Sequence, residues 1–350
     1  MTLVSPQSHQ RVIPADAGIL GGRGSRLSPG RQGKKAAAGR HELDGIPTYY
    51  DQPPLKASPW GWKVSAYIFI GGAAGAAQVI ATVAGLADRR RYRGIVRNGR
   101  LMALAGVALG APLLIADLQT PQRWYNMLRI FRPTSPMSIG TYVLTSFAGL
   151  SAVLAVAELR RGPGEGASAV ERAAEIPAAV AGAAMSIYTG ALLGATSTPL
   201  WAAAPRLIPA LFGASAMASA AAALSLAERG GEAKVLGTIE AAASGGELLL
   251  LRALHRRLRA EGIRTRVGLA PLFLAAAAPV LHKAAAVLEG PAPNREPLPS
   301  AAEERRKAAF GKASAVAVLA GAFLLRHLIL RAGNRSAERP RDYFRFTQAR

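Results

Sequence analysis

The sequence predicts an all-α integral membrane protein, folded as a bundle of eight transmembrane helices. Three observations carry that prediction. Half of the 350 residues are hydrophobic, aromatics are only 6%, and mean hydropathy is positive at +0.18 although the formal charge is +22. The 43 Lys and Arg residues sit in short clusters, and between them run nearly charge-free stretches of roughly 20 residues, enough to cross a hydrocarbon core of about 30 Å at 1.5 Å per residue. The runs show no strict alternation and exceed the roughly ten residues of a membrane strand, which disfavours a β-barrel. With no cysteine in the chain, a disulfide framework, a cysteine-ligated metal centre of its own and a cysteine nucleophile are excluded.

Residues 1–40 are rich in Gly, Pro, Ser and Arg without helical or strand periodicity, the composition of a disordered basic tail. No charged n-region leads into an apolar run with a cleavage site, so the tail is expected to persist in the mature chain. Residues 41–61 mix Pro with Tyr49, Tyr50 and Trp60, as befits a segment at headgroup depth. Spans then follow at 62–86, 101–118, 137–159, 176–200, 207–227, 233–255, 267–287 and 308–330, and a basic C-terminal tail occupies 331–350. The fifth span starts soon after the fourth and carries Pro209. Small residues recur, as in Gly71-Gly72-Ala73-Ala74-Gly75 and Gly182-Ala183-Ala184, and in lipid such residues let helix backbones approach closely.

Eight spans place both termini on one side, here side A. Flanking basic residues on side A, including Arg252 to Arg266 and Arg326 to Arg345, nearly balance those on side B, including Arg89 to Arg100. Only the N-terminal tail tips the count toward a cytoplasmic side A. The runs Arg89-Arg90-Arg91 and Arg252 to Arg266 read as solvated clusters facing the lipid headgroups.

Two stretches go beyond a generic membrane protein. One is Trp60-Gly61-Trp62-Lys63 leading into the glycine-rich first span. The other is the loop running from Asp117-Leu118 through Pro121, Arg123, Asn126-Met127-Leu128-Arg129 and Phe131 to Pro133-Thr134-Ser135-Pro136-Met137-Ser138. Together they resemble the NrfD/PsrC family, the membrane subunit of polysulfide reductase and related molybdoenzyme complexes. A weaker match is Tyr188-Thr189-Gly190 with Pro199-Leu200-Trp201, Leu207, Pro209 and Phe212. The resemblance implies an eight-helix anchor without haem or metal of its own in a bacterial-type inner membrane. Such an anchor stands beside a [4Fe–4S] ferredoxin-like subunit and a molybdopterin catalytic subunit, as in polysulfide reductase or formate dehydrogenase-like complexes of anaerobic respiration. It exchanges electrons with menaquinone or ubiquinone, the bound substrate.

The resemblance places that quinone on side A, where Asp117, Tyr188, Tyr67 and Lys63 converge by helix parity. Asp117 ends a membrane helix, where desolvation favours proton exchange with a quinol; the alternative is a helix-end carboxylate paired with Arg123. Tyr188 either donates a hydrogen bond to a quinone carbonyl or packs with its hydroxyl satisfied. Lys63 and Tyr67 share one helical face, with snorkelling the competing role for Lys63. Glu240 and Glu247 lie seven apart on one face of the sixth span, as a proton path or polar cavity, or as protonated acids bonded between helices. Arg123, Asn126, Arg129 and Arg132 form a basic, proline-bounded loop suited to docking the iron-sulfur partner, or to binding lipid headgroups.

Five histidines, two of them ahead of the bundle, are too few and too scattered for the four axial ligands of two haems. No phosphate-binding glycine motif occurs, and nothing points to nucleic acid. A purely structural anchor and a secondary transporter are the competing functions. The transporter would need paired broken helices in an internal repeat, and the two halves show no such similarity.

Overall fold

The computed structural model describes residues 53–118, 120–162, 165–228, 230–263 and 301–348, and Ala277. The tail 1–40, residues 41–52 and all of the span 267–287 but Ala277 lie outside the described residues. Helices occupy Trp62–Asp88 (α1), Arg93–Ile115 (α2), Asn126–Arg129 (α3), Pro136–Arg160 (α4), Ala169–Gly194 (α5), Pro199–Ala202 (α6), Leu207–Ala227 (α7), Gly230–Ala260 (α8), Ala301–Ala337 (α9) and Pro340–Gln348 (α10). Among the described residues there are no strands, and six helices are long and apolar enough to cross a membrane: α1, α2, α4, α5, α7 and the Ala309–Ala337 part of α9. The expected count of eight is not confirmed among the described residues, since nearly all of the seventh expected span lies outside them. The sixth expected span is a helix of 31 residues in α8, but its glutamates and basic residues take it outside that apolar class.

α1 is the central helix, packed against α2, α5, α7 and α9, while α8 lies along α7. The small residues do what their pattern predicts. A Cβ placed on Gly182 of α5 would lie 2.5 Å from the Gly75 carbonyl oxygen of α1, so the two backbones touch there. The Ser186 hydroxyl donates across the same seam to the Gly72 carbonyl at 3.1 Å.

Helix ends differ from the sequence expectation where local chemistry intervenes. α2 begins at Arg93 rather than 101, because Arg100 is buried in ion pairs and its charge does not stop the helix. α5 begins at Ala169 rather than 176, set by a capping box between Ser168 and Glu171. It ends at Gly194 rather than 200; Pro199 holds Thr198 extended and starts the separate turn α6. Residues 331–337 and 340–348 are helical in α9 and α10, with Phe346 buried against the core. The interfacial segment is pinned to α9 where the Ser58 hydroxyl donates to Asn334 Oδ1 at 2.7 Å. Trp60 stacks on Trp201 at 5.9 Å, and the Trp201 indole donates to the Ile329 carbonyl at 3.1 Å.

Candidate functional site

The start of α1, the end of α2, the 117–136 connection and the middle of α5 bring the side A residues into two pairs. Lys63 Nζ donates to the Ala116 carbonyl at 3.3 Å and stands close enough to Asp117 to act on its charge. Burial raises the half-buried Asp117 carboxyl above the ordinary aspartate value, and the Lys63 ammonium opposes that rise. The second pair is Tyr67 and Tyr188, whose hydroxyls are near enough to interact electrostatically. Tyr67 is buried, with its ring across Gly110 of α2. Tyr188 is half-buried; its ring lies against Gly140 of α4, a position where any side chain would collide with it. Its hydroxyl donates to the Pro136 carbonyl at 2.9 Å. Lys63 and Tyr67, one turn apart on α1, connect the pairs.

The connection itself is a built element. Pro121–Arg123 forms a 3-10 turn, α3 follows, and the chain returns to α4 with Pro136 at the first helical position and Ser135 as its cap. The Tyr142 hydroxyl donates to the Leu128 carbonyl at 3.1 Å, its ring meets Phe131 edge-on at 4.9 Å, and the Arg132 N–H donates to Ser138 Oγ at 2.9 Å. These bonds hold the inner side, while Arg123, Asn126, Arg129 and Arg132 are exposed together with Trp124, Tyr125, Ile130 and Phe131.

A scan against protein-family models matches residues 53–289, more than half of the chain, to the family described as Polysulphide reductase, NrfD. The chain belongs to the NrfD family. No curated protein matches it. The NrfD match covers both side A pairs, the basic connection and the glutamates of α8, and ends before α9.

In this NrfD protein Glu240 and Glu247 are both buried on α8, with buried Ser244 between them. Glu247 is hydrogen-bonded to Ser215 of α7. The same hydroxyl accepts from Arg326 of α9 at 3.1 Å, and Arg326 also donates to the Ala322 and Phe212 carbonyls at 2.8 and 3.2 Å. Arg326 is 0% exposed, and its guanidinium lies over the rings of Phe69 and Phe212 at 5.8 and 5.3 Å. The sequence counts Arg326 as a flanking cation on side A; the structure buries it, because serine, backbone carbonyls and ring faces replace its water.

A second correction concerns the Arg89-Arg90-Arg91 run. Arg90 and Arg91 are exposed, but Arg89 pairs with Glu175 and approaches Glu171. It joins a network in which Arg100 reaches Glu158 at 3.0 Å, Glu171 at 2.7 Å and also Glu175, while Arg161 pairs with Glu158 and Glu171. Burial, then the neighbouring Arg100, pushes the Arg89 guanidinium below its ordinary value. The network binds α2, α4 and α5, with three guanidiniums facing three carboxylates. Only the Ser168-x-x-Glu171 capping signature hints at it in the sequence. Beside it, Asn98 donates to Glu228 at 2.5 Å and Glu232 accepts the Gly94 N–H at 3.0 Å. Burial first, and the neighbouring Glu232, hold the Glu228 carboxyl above the ordinary glutamate value against the Asn98 amide. Among the described residues, no group of three or more His, Cys, Asp or Glu side chains is arranged to hold a metal ion.

Proposed function

We propose that this chain is a haem-free membrane anchor that passes electrons between a [4Fe–4S] ferredoxin-like subunit and the quinone pool, with a molybdopterin subunit beyond the iron-sulfur protein. One observation carries the reading: the exposed basic connection begins at Asp117 and ends at Pro136, the carbonyl that Tyr188 holds. A partner docked on Arg123, Asn126, Arg129 and Arg132 would thus engage the element whose two ends carry the carboxyl and the carbonyl that Tyr188 holds. Quinone reduction takes two electrons, supplied by the iron-sulfur partner, and two protons. Asp117 is suited to exchange one of those protons, and Tyr67, Tyr188 and Lys63 to orient the carbonyls or hydroxyls of menaquinone or ubiquinone. Glu247, Ser215 and Arg326, with Glu240 further along α8, would supply a polar route through the bundle. In this proposal α8 and the span 267–287 complete an eight-helix bundle in a bacterial-type inner membrane, with side A cytoplasmic.

The competing reading, a purely structural anchor, has an observation of its own: the Tyr188 and Lys63 donors already serve Pro136 and Ala116. Purification of the chain with whatever accompanies it, followed by EPR spectroscopy and quinone extraction, separates the two. Iron-sulfur signals with stoichiometric quinone, the quinone lost on Asp117→Asn, support electron transfer. Iron-sulfur signals without quinone, and turnover insensitive to Asp117→Asn, support the structural anchor.

A further inference from the structure

We propose that Tyr188 makes the site selective for quinol over quinone, through the hydrogen bond it already gives to Pro136. This rests on the site being a quinone site. A phenol has one proton to donate and two lone pairs to accept with. In the structure that proton is committed to the Pro136 carbonyl at 2.9 Å. Pro136 is the first residue of α4, so helix geometry directs the Gly140 N–H to the same carbonyl, and Tyr188 takes its second lone pair. The ring cannot drift from this arrangement cheaply, because it occupies the notch left by the missing side chain of Gly140.

The two redox forms meet this hydroxyl differently. A quinone oxygen only accepts, so it gains Tyr188 by taking the proton from Pro136, one hydrogen bond exchanged for another. A quinol hydroxyl donates, and it finds the Tyr188 lone pairs available while the Pro136 bond stays in place. Only the reduced form gains a hydrogen bond, a difference of about two- to tenfold in affinity for an ordinary neutral bond. By linkage, the bound couple is easier to reduce than the free one. Quinone binding leaves the Pro136 carbonyl with its helix partner alone, whereas quinol binding keeps both of its hydrogen bonds.

The test is anaerobic calorimetric titration of the full chain in detergent with decylubiquinol and with decylubiquinone. Wild type is expected to bind the quinol more tightly. Tyr188→Phe, which supplies neither proton nor lone pair, is expected to weaken quinol binding by about two- to tenfold and to change quinone binding by less than about twofold. Tyr188→3-fluorotyrosine, a poorer acceptor that keeps the Pro136 bond, tests the same point if the phenylalanine variant does not fold, and is expected to weaken quinol binding alone. Tyr142→Phe, which loosens the same connection at Leu128, is expected to leave the ratio unchanged. Equal losses for both forms on Tyr188→Phe, or the same loss on Tyr142→Phe, overturn the selectivity and leave the quinone site standing. Failure of wild type to bind either form overturns the quinone site and the selectivity together.

Discussion

Replacing Arg100 with methionine tests whether the buried ion network holds α2 to α4 and α5. Arg100 is 1% exposed and lies 3.0 Å from Glu158. At an effective dielectric constant of about 20, a pair at that distance attracts by 332/(20 × 3.0), about 5.5 kcal/mol before desolvation. Desolvating both ions offsets much of that gain. The network as a whole is therefore worth little against an apolar core, whereas removing one member leaves the others unmatched at about 3–5 kcal/mol. Methionine preserves most of the stem's packing, so the loss reports charge. Arg100→Met leaves two guanidiniums facing three carboxylates, with an expected destabilisation of about 3–5 kcal/mol. Adding Glu158→Gln restores the balance, since Glu175 keeps Arg89 and Glu171 keeps Arg161. The double variant is expected to recover about half of the loss, a coupling on the order of 2 kcal/mol. Titration of the detergent-purified variants with sodium dodecyl sulfate, followed by tryptophan fluorescence, measures each value. A loss under about 1 kcal/mol for Arg100→Met, or a double variant as unstable as the sum of the singles, would refute the reasoning.

Three further outcomes are expected. If protonated Asp117 supplies a proton to quinone, the reduction rate falls as pH rises through its pKa; Lys63→Met removes the opposing cation and moves that falling limb to higher pH. Asp117→Asn abolishes the limb and slows turnover by about 10²–10⁴-fold, both read from steady-state pH profiles. Gly182→Ala drives a methyl group into the Gly75 carbonyl, where backbone cannot yield, at a cost of about 1–3 kcal/mol. Gly149→Ala, with open space around it, is expected to be neutral or stabilising in the same unfolding assay. The Glu228 carboxyl is raised in the fold, so its contribution is fully present below the unfolded glutamate pKa and is lost as pH rises through the folded one. Glu228→Gln is expected to flatten that part of the stability profile, and an unchanged slope would count against the shared contact with Glu232.

What was legible in the sequence is what depends on local pattern. Gly71 to Gly75 and Gly182 announce a close seam, and α1 and α5 meet there. The Asp117 to Ser138 motif announces a formed connection, and its inner side is bonded to Tyr142 and Ser138. Lys63 with Tyr67, and Glu240 with Glu247, share faces because helical spacing requires it. What was not legible depends on partners distant in the chain. Arg100 reads as a helix-flanking cation, since Glu158 and Glu175, which neutralise it, lie 58 and 75 residues away. Arg326 reads the same way, yet its partners are a serine and two carbonyls, groups every helix contains. Hydropathy treats a charge as a boundary, and only a packed bundle reveals when the charge is satisfied inside.

That distinction bears on how the two ends of this bundle differ. At the α2 start, carboxylates and guanidiniums match in number and hold one another, an arrangement that fixes helices and leaves little capacity for exchange. At the α2 end, the Tyr188 donor rests on the Pro136 carbonyl at the start of α4, one Lys63 donor rests on the Ala116 carbonyl, and Asp117 faces that one ammonium. A ligand recruits Tyr188 at the cost of a single neutral hydrogen bond, about 0.5–1.5 kcal/mol, and Lys63 at that of a single charge-assisted one, about 1.5–3 kcal/mol, whereas the matched ions cannot be recruited so. Chemistry is accordingly expected at the end where the bonds are exchangeable, and rigidity at the end where they are not. Asp117→Asn should therefore change turnover without changing stability, and Arg100→Met the reverse among molecules that fold.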